Sequence, residues 1–341
     1  MNTNYKNINN LFLYWLIISL ILVFLIIIIG GLTRLTNSGL SITEWELLKG
    51  VLPPLNIKAW NFYFDQYKEI PQFKLLNNKM SLSEFKIIFY WEYIHRLLAR
   101  IIGLFFLIPL IYFHFSKKIN QKYLNTCYLV FFLIILQGIV GWLMVKSGLV
   151  DDITVSHYRL SIHLIIAVTI ISIIFWLIKN TIEKNNKTFF KFKKKNFPYL
   201  ILISLIFLQI IFGAFVSGLD AGKIYQTWPL MGDTYFPNDL VIKSLSSITE
   251  FNNHSLVQFY HRNLAYFITI YVLTLSLFIY LKKIQNLFYP LLLLLVVLFL
   301  QITLGILSLI SDLNIYLASA HQITSVILVF TAINLYYFEA K

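Results

Sequence analysis

Seven stretches of this chain, 7–33, 123–145, 160–178, 196–219, 263–281, 284–311 and 313–338, contain no Asp, Glu, Lys or Arg. A helix needs about 20 apolar residues to cross a hydrocarbon core of about 30 Å. Only helices and closed barrels satisfy their own backbone hydrogen bonds in that layer. An eighth run, between Arg100 and Lys117, holds only 16 residues, roughly 24 Å of helix. It is too short. The crossing must begin upstream, toward Lys86, and draw Glu92, His95 and Arg96 of the segment WEYIHRLLAR into the membrane. Composition agrees: 58% hydrophobic, 13% charged and a mean hydropathy of +0.73, where soluble domains are about a quarter charged. The expectation is an all-α membrane protein with eight transmembrane helices.

Lysine placement sets the direction of these crossings. The connections after the second, fourth and sixth spans hold 12 basic residues and one acid, Glu183; the other connections hold 11 basic and 12 acidic residues. By the positive-inside rule the first set is cytoplasmic, and both termini are too. The net charge of +13 is thus largely a topology signal. The run KFKKK at 191–195 reads as a solvated cytoplasmic loop, not a nucleic-acid patch. The first apolar run is too long for a cleaved signal peptide and is expected to remain as a helix.

The chain also repeats itself. LQGIVG at 136–141, LQIIFG at 208–213 and LQITLG at 300–305 share one pattern, and IHR at 94–96 and YHR at 260–262 share another. The offsets are 166 residues from His95 to His261 and 164 from Gln137 to Gln301. Two four-helix halves follow, 1–180 and 195–341, joined by a lysine-rich linker. Because each has an even number of crossings, the copies are expected to be parallel repeats, related by an axis along the membrane normal.

Four of the seven histidines fall inside spans: His95, His163, His261 and His321, one on each even-numbered helix. Each lies four to eleven residues beyond the last outer-loop charge (Lys86, Arg159, Glu250 and Asp312), so all sit within about 17 Å of the outer boundary. Two imidazoles per half at one level, on neighbouring helices, suit a six-coordinate haem iron. Helix-to-helix hydrogen bonding is the plainer alternative. Zinc or copper is disfavoured, because no Cys, Asp or Glu recurs in both halves to complete a site. The single cysteine, Cys127, excludes an internal disulfide, an iron–sulfur cluster and covalent c-type attachment. Arg96 and Arg262 follow the first histidine of each half and are candidate partners for haem propionates, or else snorkel to the surface. Arg34 is a lesser candidate. His114, His157 and His254 read as structural.

The halves differ at one telling position. Three residues before the histidine, on the same helix face, the first has Glu92 and the second Gln258. A membrane carboxylate is a functional candidate, although a Glu92–Arg96 pair at i,i+4 would also explain it.

The segments GGLTRLTNSGLSITEW, EYIHR, VSHYRLSIHL, VSGLDAG, VQFYHR and ASAHQ, in this order along the whole chain, resemble the haem A synthase family. The absence of paired outer-loop cysteines sets the chain apart from the Gram-positive type and places it with the cysteine-poor branch. The resemblance implies oxidation of the C8 methyl of haem O to a formyl group, with water-derived oxygen, giving haem A for cytochrome oxidase. It implies a resident haem b on His261 and His321 with Arg262, haem O bound by His95 and His163 with Arg96, and Glu92 as the catalytic acid or base. It further implies a bacterial inner membrane, with the haem sites toward the outer side. The partners implied are membrane lipid, haem O synthase (a farnesyltransferase), oxidase assembly factors and a second copy of the chain. Nucleic acid is not among them. A non-enzymatic dihaem b-type electron carrier accounts for the four histidines equally well, but not for Glu92. A parallel-repeat transporter would place its polar residues at the midplane, not near the outer side.

Overall fold

The computed structural model describes residues 3–45, 49–149, 153–190, 192–241 and 244–340. Lys191 of the KFKKK run, and Glu46, Asp151, Asp152 and Lys243 of the charge count, lie outside the described residues. Helices dominate, and among the described residues eight are long and apolar enough to cross a membrane. They are α1 (Thr3–Leu35), α4 (Leu82–Ser116), α5 (Gln121–Gly148), α6 (His157–Ile182), α7 (Phe197–Gly218), α8 (His254–Leu281), α9 (Phe288–Ile310) and α10 (Ile315–Glu339). Two shorter helices, α2 (Ile57–Lys68) and α3 (Pro71–Leu76), lie between the first two spans.

The charge-bearing span starts well upstream of Arg100, as its length requires. Ser81 and Glu84 close a capping box at the start of α4, each side chain bonding the other's backbone N–H, which satisfies donors that a helix start leaves orphaned. The 35 residues of α4 make roughly 52 Å of helix, well beyond a 30 Å core. Its first turns pack against the segment that precedes them. There Phe85 and Phe89 join Leu40, Ile42, Trp60, Phe64, Tyr67 and Ile70 in a buried cluster that pins α2 onto α4. Burial pushes the Tyr67 hydroxyl above the usual phenol range, more than its bond from Asn77 lowers it. Tyr67 thus stays a donor, to Gln72 at 3.0 Å.

The chain separates into two compact units, one ending at Ile182 and the other beginning at Glu183. In the first, α1 packs on α4 and α6, and α5 packs on the same two. In the second, α7 and α9 each pack on α8 and α10. Each unit is thus a ring of four helices in chain order. This corrects one expectation. The histidine helices are not neighbours: helices two apart in a chain-ordered ring face each other across it.

Candidate functional site

In the first unit the rings of His95 (α4) and His163 (α6) have centres 6.5 Å apart and planes 70° apart. In the second, His261 (α8) and His321 (α10) stand at the same 6.5 Å, with planes at 80°. Two imidazoles bound to one ion through metal–nitrogen bonds of about 2 Å hold their ring centres roughly 6 Å apart. Each pair is therefore spaced for two nitrogen ligands on one ion. No third His, Cys, Asp or Glu joins either pair among the described residues.

Each histidine approaches a glycine of the preceding spanning helix. A methyl group placed on Gly30 would sit 3.1 Å from His95 Nε2, on Gly141 3.0 Å from His163 Cε1, on Gly213 3.1 Å from His261 Cε1, and on Gly305 2.8 Å from His321 Cε1. Only a residue without a Cβ lets the ring lie this close to the facing backbone. Three of these glycines end the LQxxxG repeats, so the motif marks the helix face that meets an imidazole. Glutamines of the same motif bond the histidines in the second unit, Gln209 through its side chain and Gln301 through its backbone. Gln209 Nε2 donates to the His261 backbone oxygen at 2.9 Å, and His321 Nδ1 faces the Gln301 backbone oxygen at 3.0 Å.

Glu92 is buried, and both of its oxygens are engaged. Oε2 accepts from Ser41 Oγ at 2.7 Å and from the Ile42 N–H at 2.9 Å. Oε1 accepts from Arg96 Nη2 at 2.6 Å and from Nε at 3.1 Å. Arg96 also donates to the backbone oxygens of Ile42 and Glu44. The second unit repeats this clamp without the acid. Gln258 Nε2 donates to the Tyr225 oxygen at 2.9 Å, and Arg262 donates to the oxygens of Tyr225, Thr227 and Leu230. In both units the residue three before the histidine and the one after it bolt the segment following the preceding spanning helix onto the histidine helix. Arg262 Nε remains buried without a partner. Arg34 donates to Asn37, and His114 pairs with Tyr128. His157 and His254 open α6 and α8, six and seven residues before His163 and His261.

Comparison with known proteins decides the family. The profile described as "Cytochrome oxidase assembly protein" (COX15-CtaA) matches residues 13–333. A protein of Pelagibacter ubique named "Heme A synthase" is 51% identical over 313 residues, covering 92% of each chain. Proteins of the same name from Rickettsia canadensis and Flavobacterium psychrophilum are 40% and 39% identical, each over 95% of this chain and 96% of their own. This chain belongs to the COX15-CtaA family. Within this COX15-CtaA chain the four candidate histidines meet in two pairs, and Glu92 and Arg96 meet each other. Sequence reading missed Ser41, Ile42 and the contact glycines. The LQxxxG repeat carried the signal for three of the glycines; Gly30 closes LIIIIG, with Ile26 where the motif has Gln.

Proposed function

We propose that this chain is a haem A synthase, an oxidoreductase that converts the C8 methyl of haem O to a formyl group with oxygen drawn from water. The residues fit a haem at both pairs: imidazoles 6.5 Å apart on opposite helices, each ring seated against a glycine. His261 and His321 would hold a resident haem b, which supplies a redox centre for electrons when bound. Arg262, through its unpartnered Nε, is the donor available to a propionate. His95 and His163 would hold haem O, with Arg96 beside them.

One observation carries this reading. The two imidazole pairs are matched in spacing, but only the first has a carboxylate three residues before its leading histidine. Glu92 would take a proton from the reacting carbon or stabilise positive charge developing there. The hydrogen bonds from Ser41, Ile42 and Arg96 hold its carboxylate in one orientation, as preorganised catalysis requires. In this reading the protein sits in a bacterial inner membrane with both termini cytoplasmic and the haem sites toward the outer side. Haem O synthase, oxidase assembly factors and further copies of the chain are its expected partners.

The test is to extract the porphyrins from the purified protein and separate them by chromatography. Haem B together with haem O, haem A or a hydroxylated intermediate supports synthesis. Haem B alone would instead make the chain a dihaem electron carrier.

A further inference from the structure

The guanidinium open to a carboxylate sits on a different helix in each unit. In the second, Arg262 follows the leading histidine and keeps its Nε buried without a partner. In the first, Arg96 holds the same position, but its Nε and Nη2 donate to Glu92. Nη2 and Nη1 also donate to the backbone oxygens of Ile42 and Glu44, and the Trp45 ring covers its face, 5.4 Å from Cζ. The added acid thus engages the arginine beside His95.

Another arginine stands at the opposite ligand. Arg159 lies four residues before His163 on α6, so the two share a helix face, with Arg159 one turn nearer the helix start. It is exposed, and its Nη1 donates to the Leu143 backbone oxygen of α5 at 3.1 Å. Leu143 is two residues past Gly141, the glycine that His163 meets, so the bond holds the guanidinium over the same stretch of α5. Among the described residues this is the one hydrogen bond the guanidinium makes; Asp151 and Asp152 of the preceding loop lie outside them. The first turn of a helix is also a poor place for a cation, because a helix start carries partial positive charge. An anion beside Arg159 would resolve that conflict. In the second unit the residue four before His321 is Leu317, which binds no anion.

We infer that Arg159 binds a carboxylate of the substrate porphyrin and so decides which of its methyl groups faces Glu92. The inference rests on the haem O reading above and deepens it. Haem O carries two propionates, and the methyl to be oxidised shares its pyrrole ring with one of them. Two axial imidazoles leave a porphyrin free to turn about the line that joins them. A guanidinium that grips a propionate in its planar fork stops that rotation, and a reacting group held in one orientation reacts faster. With Arg96 committed to Glu92, Arg159 is the arginine on the His163 face that can supply the grip.

The experiment titrates two porphyrins into the full-length protein in detergent, its resident haem in place, with binding followed by absorbance. One is haem O; the other is haem O with both propionates methyl-esterified. The wild-type protein should bind the free acid about tenfold more tightly than the ester, the worth of one hydrogen bond between charged groups. Arg159→Gln should lose that preference and leave ester binding unchanged. Arg159→Lys, which keeps the charge but not the fork, should keep part of the preference and serves if Arg159→Gln fails to accumulate. Porphyrins extracted from the variants should shift from haem A toward haem O. Equal affinity of the wild-type protein for acid and ester would overturn the inference, and is the result expected if the guanidinium serves a lipid headgroup instead. A full preference for the acid, or an unchanged ratio of haem A to haem O, in either variant would overturn it too. A wild-type protein that takes up neither porphyrin would fail earlier, at the haem O reading itself.

Discussion

In the proposed reading Glu92 combines a structural and a chemical role in one carboxylate, and substitution tests each. Its side chain is 3% exposed and that of Arg96 11%, so removing the acid strands a buried guanidinium. Breaking a buried pair in this way costs about 3–5 kcal/mol. Glu92→Ala should therefore unfold at a clearly lower temperature and make no formyl product, while the haem on His261 and His321 stays bound. Glu92→Gln keeps the size and an acceptor for Ser41 and Ile42 but loses the charge. It still fills the site but turns an amide N–H toward the Arg96 donors, so it should be destabilised too, less than Glu92→Ala, and still make no haem A, as read by thermal unfolding and by chromatography of extracted porphyrins. Normal haem A output from Glu92→Gln would leave the carboxylate with the clamp alone. The Glu92–Arg96 bond was legible in the sequence, because residues four apart on a helix are neighbours. The bonds to Ser41 and Ile42 span 51 and 50 positions, and no local pattern announces them.

Between elements, the decisive contacts are glycine against imidazole. Gly305 is the tightest, with 2.8 Å between an added methyl group and His321 Cε1. Gly305→Ala must push the ring off its position or the helices apart, at about 1–3 kcal/mol for an overpacked contact. Gly138, in the same kind of helix, has nothing within 4 Å of such a methyl group. Gly305→Ala should therefore lose haem from the second site and weaken its bis-imidazole absorbance, while Gly138→Ala keeps both. Equal haem content in the two variants would refute the contact. The spanning helices themselves were readable from apolar length, and the start of the α4 crossing upstream of Arg100 from the same argument; the Ser81–Glu84 capping box that begins the helix is a finding of the structure. The segment between Arg34 and Lys86 was not readable. It lacks long apolar runs, and its fold depends on aromatic side chains finding Phe85 and Phe89 on the first turns of α4, a tertiary event that periodicity does not encode.

For the whole molecule, the crossing direction follows from charge rather than from packing, so it can be tested without reference to the site. The lysine-rich connections should face the cytoplasm, and alternate connections should face outward. Cys127 is fully buried in α5, so it should be silent to a membrane-impermeant maleimide, and the natural sequence serves as its own background. Lys118, Lys282, Asn78 and Asp233 are all exposed, which makes each a fair site for a reporter thiol. In spheroplasts Asn78→Cys and Asp233→Cys should label at once, and Lys118→Cys and Lys282→Cys only after lysis. The pair Asn78 and Lys118 tests the hardest step, because α4 between them carries Glu92, Arg96 and Arg100. If both label from the same side, α4 does not cross, and the length argument that brought the polar cluster into the membrane fails with it. If they label from opposite sides, His95, nine residues beyond Lys86, lies about 14 Å from the outer entry of its helix.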